Sequence, residues 1–207
     1  QPLGVINEND INQANVKSKK ERLVMEQSGG GVTMCGGEPM MHTDELCEIL
    51  DELGRRGFHR TVDTTLFASE EQVRKVADRC ELLLVDLKLM DSEAHQRYTG
   101  VRNEKILKNI KLLSEMGKRF WIRIPLIVGV NADDENLTAS AEFLASLPTK
   151  PEVVNLLVYH DVGIGKHTRL GTKYNSEGIK MEAPSEEVQQ HALDIMQRNG
   201  LNTKIGG

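Results

Sequence analysis

One unit recurs along this chain: an apolar run rich in β-branched residues, then an amphipathic stretch. "ELLLVDLKLM" is followed by "NEKILKNIKLLSEMG", in which Ile106, Ile110 and Leu113 share a helical face and Gly117 supplies a stop. Val32, Thr33 and Met34 precede "TDELCEILDELGRRG", where Leu46, Ile49, Leu50 and Leu53 keep helical spacing. "FHRTVDTTLF" precedes "SEEQVRKVADRC", with Ser69 and Gln72 at capping-box spacing. "RFWIRIPLIVGV" precedes "DENLTASAEFLASLP". "EVVNLLVYH" is followed by a long loop and by "SEEVQQHALDIMQRNG", with Val188, Ala192, Ile195 and Met196 in register, and the tail "TKIGG" offers a short edge strand. Near-continuous apolar runs predict strands covered on both faces, and their alternation with helices predicts parallel pairing through right-handed crossovers. The fold class is therefore α/β. Five such units fit either an open doubly wound sheet or part of a (β/α) barrel, and periodicity does not separate the two.

Residues 1–27 stand outside this scheme: they are polar, with cations at Lys17, Lys19, Lys20 and Arg22, and are expected to form a solvated arm or helix. Residues 28–207 are expected to form one domain, since a chain of 207 residues with 39% hydrophobic residues buries one core. With 26 Lys plus Arg against 31 Asp plus Glu, the basic footprint of a nucleic-acid binder is missing. No apolar run reaches the roughly 18–20 residues of a membrane span, and "QPLGVINEND" has no signal-peptide character, so a cytoplasmic location without a membrane partner is expected. Cys35, Cys47 and Cys80 are widely spaced and odd in number, which points away from a disulfide framework.

The polar residues fall at informative places. In parallel α/β folds ligands sit beyond the carboxyl ends of the strands, where loops gather and helix N-termini present their amides. Each run carries a polar group toward that end: Glu38, then Asp63 and Thr64, then Asp86 and Lys88, then Arg123, then His160. Singly, each has a bland reading. Asp63 and Thr64 could shape a turn, Asp86 could pair with Lys88, Arg123 could be a solvated charge, and His160 could be a satisfied loop histidine. Five coincidences on one rim are harder to accept. Carboxylates, cations, an imidazole and a glycine-lined backbone at Gly36 and Gly37 suit a zwitterion carrying an ammonium, a carboxylate and a ribose. "GGGVTMCGGEP" is not a phosphate-binding loop, since no Gly-Lys-Ser/Thr follows and no GxGxxG is present. No zinc motif is present either.

"SGGGVTMCGGEP", "VDTTLF", "LLLVDLKLMD", "RYTGVRNEKIL", "WIRIPLIVGVN", "LLVYHDVGIGKH" with "LGTKY", and the terminal "TKIGG" resemble, in that order, the activating enzymes of glycyl-radical enzymes. Pyruvate formate-lyase-activating enzyme is the best known of these radical S-adenosylmethionine proteins, and the resemblance runs from about Glu21 to Gly207. It implies a partial (β/α) barrel of radical S-adenosylmethionine type. It implies that Gly36, Gly37 and Glu38 approach the methionine amino group of S-adenosylmethionine. Asp63, with Thr64 beside it, and Asp86 would serve the amino group, the ribose and a bound monovalent cation. Lys88 and Arg123 would face the carboxylate, and His160 the ribose and adenine. The implied activity is an oxidoreductase-type one. A [4Fe-4S] cluster reduces S-adenosylmethionine, and the resulting 5′-deoxyadenosyl radical takes hydrogen from a glycine of a partner glycyl-radical enzyme. Flavodoxin or ferredoxin would donate the electron.

The sequence departs from the family at the cluster. The family's CxxxCxxC motif precedes its Gly-Gly-Glu strand, and this chain has no cysteine before Cys35. Cys47 and Cys80 follow at intervals that cannot replace the motif. The expectation is therefore the C-terminal part of an activase, truncated at its N-terminal βα unit and inactive by itself. Two alternatives are a non-catalytic module that binds S-adenosylmethionine or a partner protein, and an unrelated barrel lyase acting on a small carboxylate.

Overall fold

A computed structural model of the chain describes residues 31–159 and 181–206. Its centre is a sheet of six strands: β1 (Gly31–Met34), β2 (His59–Thr64), β3 (Leu82–Asp86), β4 (Phe120–Leu126), β5 (Val153–Val158) and β6 (Thr203–Ile205). All neighbours pair in parallel, and spatial order follows chain order from β1 to β6. This decides the question that periodicity leaves open. A doubly wound sheet reverses direction at a switch point, whereas right-handed crossovers that always advance by one strand leave every helix on the same face. The winding is that of a partial (β/α) barrel.

Six α-helices are described: α1 (Thr43–Arg55), α2 (Glu70–Ala77), α3 (Ser92–Thr99), α4 (Glu104–Glu115), α5 (Asp134–Ala145) and α6 (Glu186–Arg198). Their ends follow local chemistry. Ser69 and Gln72 form the full capping box of α2, and Asp133 and Ser185 accept from Asn136 N and Val188 N at the starts of α5 and α6. The sequence reading passes over α3. Asp91 caps its first turn by accepting from Ala94 N, and Gly100 closes it at φ 86°. The signals were present, but with His95 its only buried residue α3 shows little apolar periodicity.

Strand alternation places Val62, Leu83, Val85, Phe120, Ile122, Ile124, Val154 and Leu156 against Leu50, Val73, Ile110, Leu113, Leu137, Ala141, Ala192 and Met196 from the helices. Burying each larger side chain stabilises the fold by about 1.5–3 kcal/mol before the entropy of ordering it. The opposite sheet face corrects the expectation of two-sided cover. Leu84, Trp121 and Pro125 are only half-buried there, alongside Asp63, Asp86 and Arg123. Among the described residues no second helix layer covers this face, so its charged side chains stay within reach of a ligand.

Three asparagines hold the loop that follows β3. Asn131 donates to Lys88 O (2.8 Å) and Pro125 O (2.6 Å) and accepts from Ile127 N (2.9 Å). Asn136 accepts from Met90 N (2.8 Å), and Asn103 donates to Leu89 O and Met90 O. All three are buried, so the backbone around Lys88 is fixed by side chains from the start of α4 and from the segment after β4 as well as by its own strand.

Candidate functional site

The site begins where β1 ends. Gly36 and Gly37 take φ of 98° and 57°, conformations that L side chains rarely adopt. The turn folds Glu38 back across the end of β2. Its Oε1 accepts from Met40 N (3.1 Å) and Thr64 Oγ1 (2.6 Å), and its Oε2 from Thr65 N (2.8 Å) and Thr65 Oγ1. Four protein donors thus take up both oxygens. Glu38 is the clasp between β1 and β2, and the groups it leaves open to a ligand are backbone ones at the glycine turn. Thr65, which supplies half of the clasp, was missed in the sequence reading; the paired threonines of "VDTTLF" at a strand end were the available signal. Beyond them Leu66 takes φ 58°, and its carbonyl accepts from the buried Asn109 (2.9 Å).

On the open face, Asp63, Asp86 and Arg123 come together from adjacent strands. Asp86 and Arg123 are register partners on β3 and β4. The Arg123 Nη2 donates to Asp63 Oδ1 and to Asp86 Oδ1 (2.7 Å), and its Nε to Asp86 Oδ1 (3.1 Å). Lys88 Nζ pairs with Asp86 Oδ2 at 3.1 Å. The cation between Asp63 and Asp86 in this structure is the guanidinium of Arg123, where the resemblance implies a monovalent ion. Burial pushes the Asp63 carboxyl above its ordinary range, aided by Asp86 and opposed by Arg123. The two carboxylates hold Arg123 more firmly charged, against the effect of its burial. Two negative and two positive groups balance, so an incoming ammonium meets carboxylates already in use and must compete with the guanidinium.

Beside Arg123 lies Asn155, its register partner on β5. Asn155 is 2% exposed, and its Oδ1 has no hydrogen-bond partner among the described residues. The sequence reading did not single it out, because an asparagine within "VVNLLV" carries no motif. His160 lies outside the described residues.

The donor set fits S-adenosylmethionine: carboxylates for its ammonium, cations for its carboxylate, and turn backbone open to both. It does not fit an iron–sulfur cluster. Burial raises the Cys47 thiol and pushes that of Cys80 up to about 12, away from the thiolate that a cluster needs. Cys80 also lies just before β3, at the end of the sheet opposite Asp86. Among the described residues no group of three or more His, Cys, Asp or Glu is placed to hold a metal.

The family model described as the radical SAM superfamily matches residues 6–141. The trans-4-hydroxy-L-proline dehydratase activating enzyme of Clostridioides difficile is 42% identical over 190 residues, 91% of this chain and 62% of that relative's own length. The pyruvate formate-lyase-activating enzyme of Staphylococcus epidermidis is 34% identical over 181 residues, 84% of this chain and 71% of that protein. Among solved structures, a domain of pyruvate-formate lyase-activating enzyme from Bacteroides vulgatus superposes with a TM-score of 0.75 at 52% identity, covering 86% of this chain and 99% of that one.

Proposed function

Because this chain belongs to the radical S-adenosylmethionine superfamily, we propose that its open sheet face seats S-adenosylmethionine within a glycyl-radical enzyme activase. The observation that carries this reading is the meeting of Asp63, Asp86, Lys88 and Arg123 next to the Gly36–Gly37 turn. That set offers charges of both signs to a zwitterionic nucleoside. When bound, S-adenosylmethionine would supply the carbon-centred acceptor for a hydrogen atom from a glycine of the partner enzyme.

The chain's own residues do the positioning. Asp63 takes the methionine ammonium together with carbonyls of the Gly36–Gly37 turn, and Thr64 and Thr65 hold Glu38 so that this turn stays in place. Asp86 accepts from the ribose hydroxyls. Lys88, anchored through its carbonyl by Asn131, and Arg123 neutralise the carboxylate. The partner that this reading implies is a glycyl-radical enzyme, as the names of the relatives suggest, with flavodoxin or ferredoxin as electron donor. The chain spans 62% of the length of the C. difficile relative and holds no CxxxCxxC, so this reading assigns radical formation to a form that carries the cluster cysteines and expects none from these 207 residues alone. The cysteine set favours a second reading, a module that binds S-adenosylmethionine without chemistry.

The direct test is calorimetric titration of S-adenosylmethionine into the 207-residue chain, alongside Asp63→Asn and Asp86→Asn. Saturable binding abolished by both variants is expected. Wild-type protein that binds nothing at millimolar ligand would sink both readings. Glycyl radical detected by electron paramagnetic resonance, after a cysteine-bearing full-length form meets its partner, separates the activase from the module.

A further inference from the structure

Arg123 is tied on one side and open on the other. Its Nε and Nη2 are engaged by Asp86 and Asp63, while its Nη1 makes no hydrogen bond among the described residues. Its register partner Asn155, one parallel strand away, points from the same side of the sheet. Adjacent strands lie about 4.8 Å apart, and an arginine side chain reaches farther than that, so a change of rotamer brings the guanidinium to the Asn155 carboxamide. The Oδ1 of Asn155 is the one buried side-chain acceptor without a partner among the described residues. An orphan of this kind is costly, and its persistence calls for a partner in another state of the site.

We propose that Asn155 is a positioning residue that supplies the second seat of Arg123. In the ligand-free site the guanidinium lies between Asp63 and Asp86. When the ligand arrives, its ammonium taking Asp63 and its ribose hydroxyls Asp86, Arg123 turns to Asn155 Oδ1, which satisfies the orphan and leaves the remaining guanidinium N–H groups facing the ligand carboxylate. Asn155 thereby lowers the cost of vacating the carboxylate pair. No bond is made or broken, and no proton moves. This inference rests on the reading that the face binds S-adenosylmethionine.

The test compares Asn155→Val with Asn155→Thr in the 207-residue chain. The two replacements have nearly the same shape, and only threonine keeps an oxygen acceptor. Each is measured for Tm without ligand, for the Kd of S-adenosylmethionine, and for the Nε–Hε resonance of Arg123, assigned through Arg123→Lys. The valine variant is expected to melt at or above the wild-type temperature, because it removes an unpaired buried acceptor, and yet to bind about ten- to hundredfold more weakly. Its Arg123 resonance should fail to reach the loaded wild-type position, and threonine should recover part of the affinity.

Valine that binds as tightly as wild type overturns the proposal. So does a valine variant that loses Tm and affinity together with threonine giving no recovery, since Asn155 would then serve packing alone. If the wild-type chain itself binds no S-adenosylmethionine, the reading of the site falls first and the second seat with it.

Discussion

The Nη2 of Arg123 donates to carboxylate oxygens of both Asp63 and Asp86, residues 60 and 37 positions away along the chain. One half-buried guanidinium therefore separates two carboxylates that would otherwise repel each other. Arg123→Met should destabilise the chain by about 1–3 kcal/mol near neutral pH, less than for a fully buried pair because the site is partly open. Urea unfolding at pH 7 and at pH 4 checks this. The loss should shrink at the lower pH, as Asp63 takes up a proton and the repulsion fades.

Asp63 has to be ionised to receive an ammonium, and burial raises its carboxyl above the ordinary value of 3.8. A raised acid loses its charge earlier as pH falls. Affinity for S-adenosylmethionine should accordingly begin to decline at a higher pH than an ordinary aspartate would set, and Asp63→Asn should flatten the profile at a weak level. Calorimetry across pH 4–8 reads it; a wild-type profile that is flat to pH 4 would contradict the assignment.

The clasp at Glu38 gives a stability prediction independent of any ligand. Glu38→Gln replaces an acceptor oxygen by an amide donor that faces the N–H of either Met40 or Thr65, and should cost about 1–3 kcal/mol. Thr65→Val keeps the backbone donor and should cost about 1 kcal/mol. Gly37→Ala meets no atom within 4 Å of the new Cβ, so its cost of about 1–2 kcal/mol is conformational. Thermal unfolding of the three variants ranks them. A Glu38→Gln protein as stable as wild type would show that the clasp is dispensable.

At the other end of β2, Glu81 accepts from Arg60 N and from the Arg60 guanidinium, while Arg60 Nη1 donates to Leu50 O (3.1 Å). The guanidinium hydrogen bond holds the Glu81 carboxyl below its ordinary value of 4.5. A depressed acid contributes stability that is present above its unfolded value and is lost as pH falls through the folded one. Stability should therefore drop as pH goes below 4.5, and Glu81→Gln should lose that part of the acid dependence. Denaturant midpoints between pH 3 and pH 6 test it.

Much of the fold was legible because its signals are local. The capping box at Ser69 and Gln72, the apolar stripe of α4 and the glycine turn after β1 each lie within a few residues of chain. Gly36 and Gly37 could be read as a place where backbone comes close, since few other residues accept their φ values. Partners could not be read in this way. Glu38 looked like a free carboxylate at a strand end, and its four donors appear only once β1 and β2 are aligned. Asn155 looked like an ordinary strand residue, and its orphan oxygen appears only beside Arg123.

Local stretches of sequence carried the order of the strands and of every described helix except α3, the ends of most helices and the set of polar residues near the carboxyl ends of the strands, because those depend on neighbours a turn or a pleat away. Only the assembled sheet shows that the strands advance in one direction without reversing, which leaves one sheet face without a helix layer among the described residues. It also shows that Asp63, Asp86 and Arg123 share that face. The physical reason is that side chains alternate across a strand, so which charges meet depends on the register of three parallel strands brought together by crossovers, a relationship no local stretch of sequence contains.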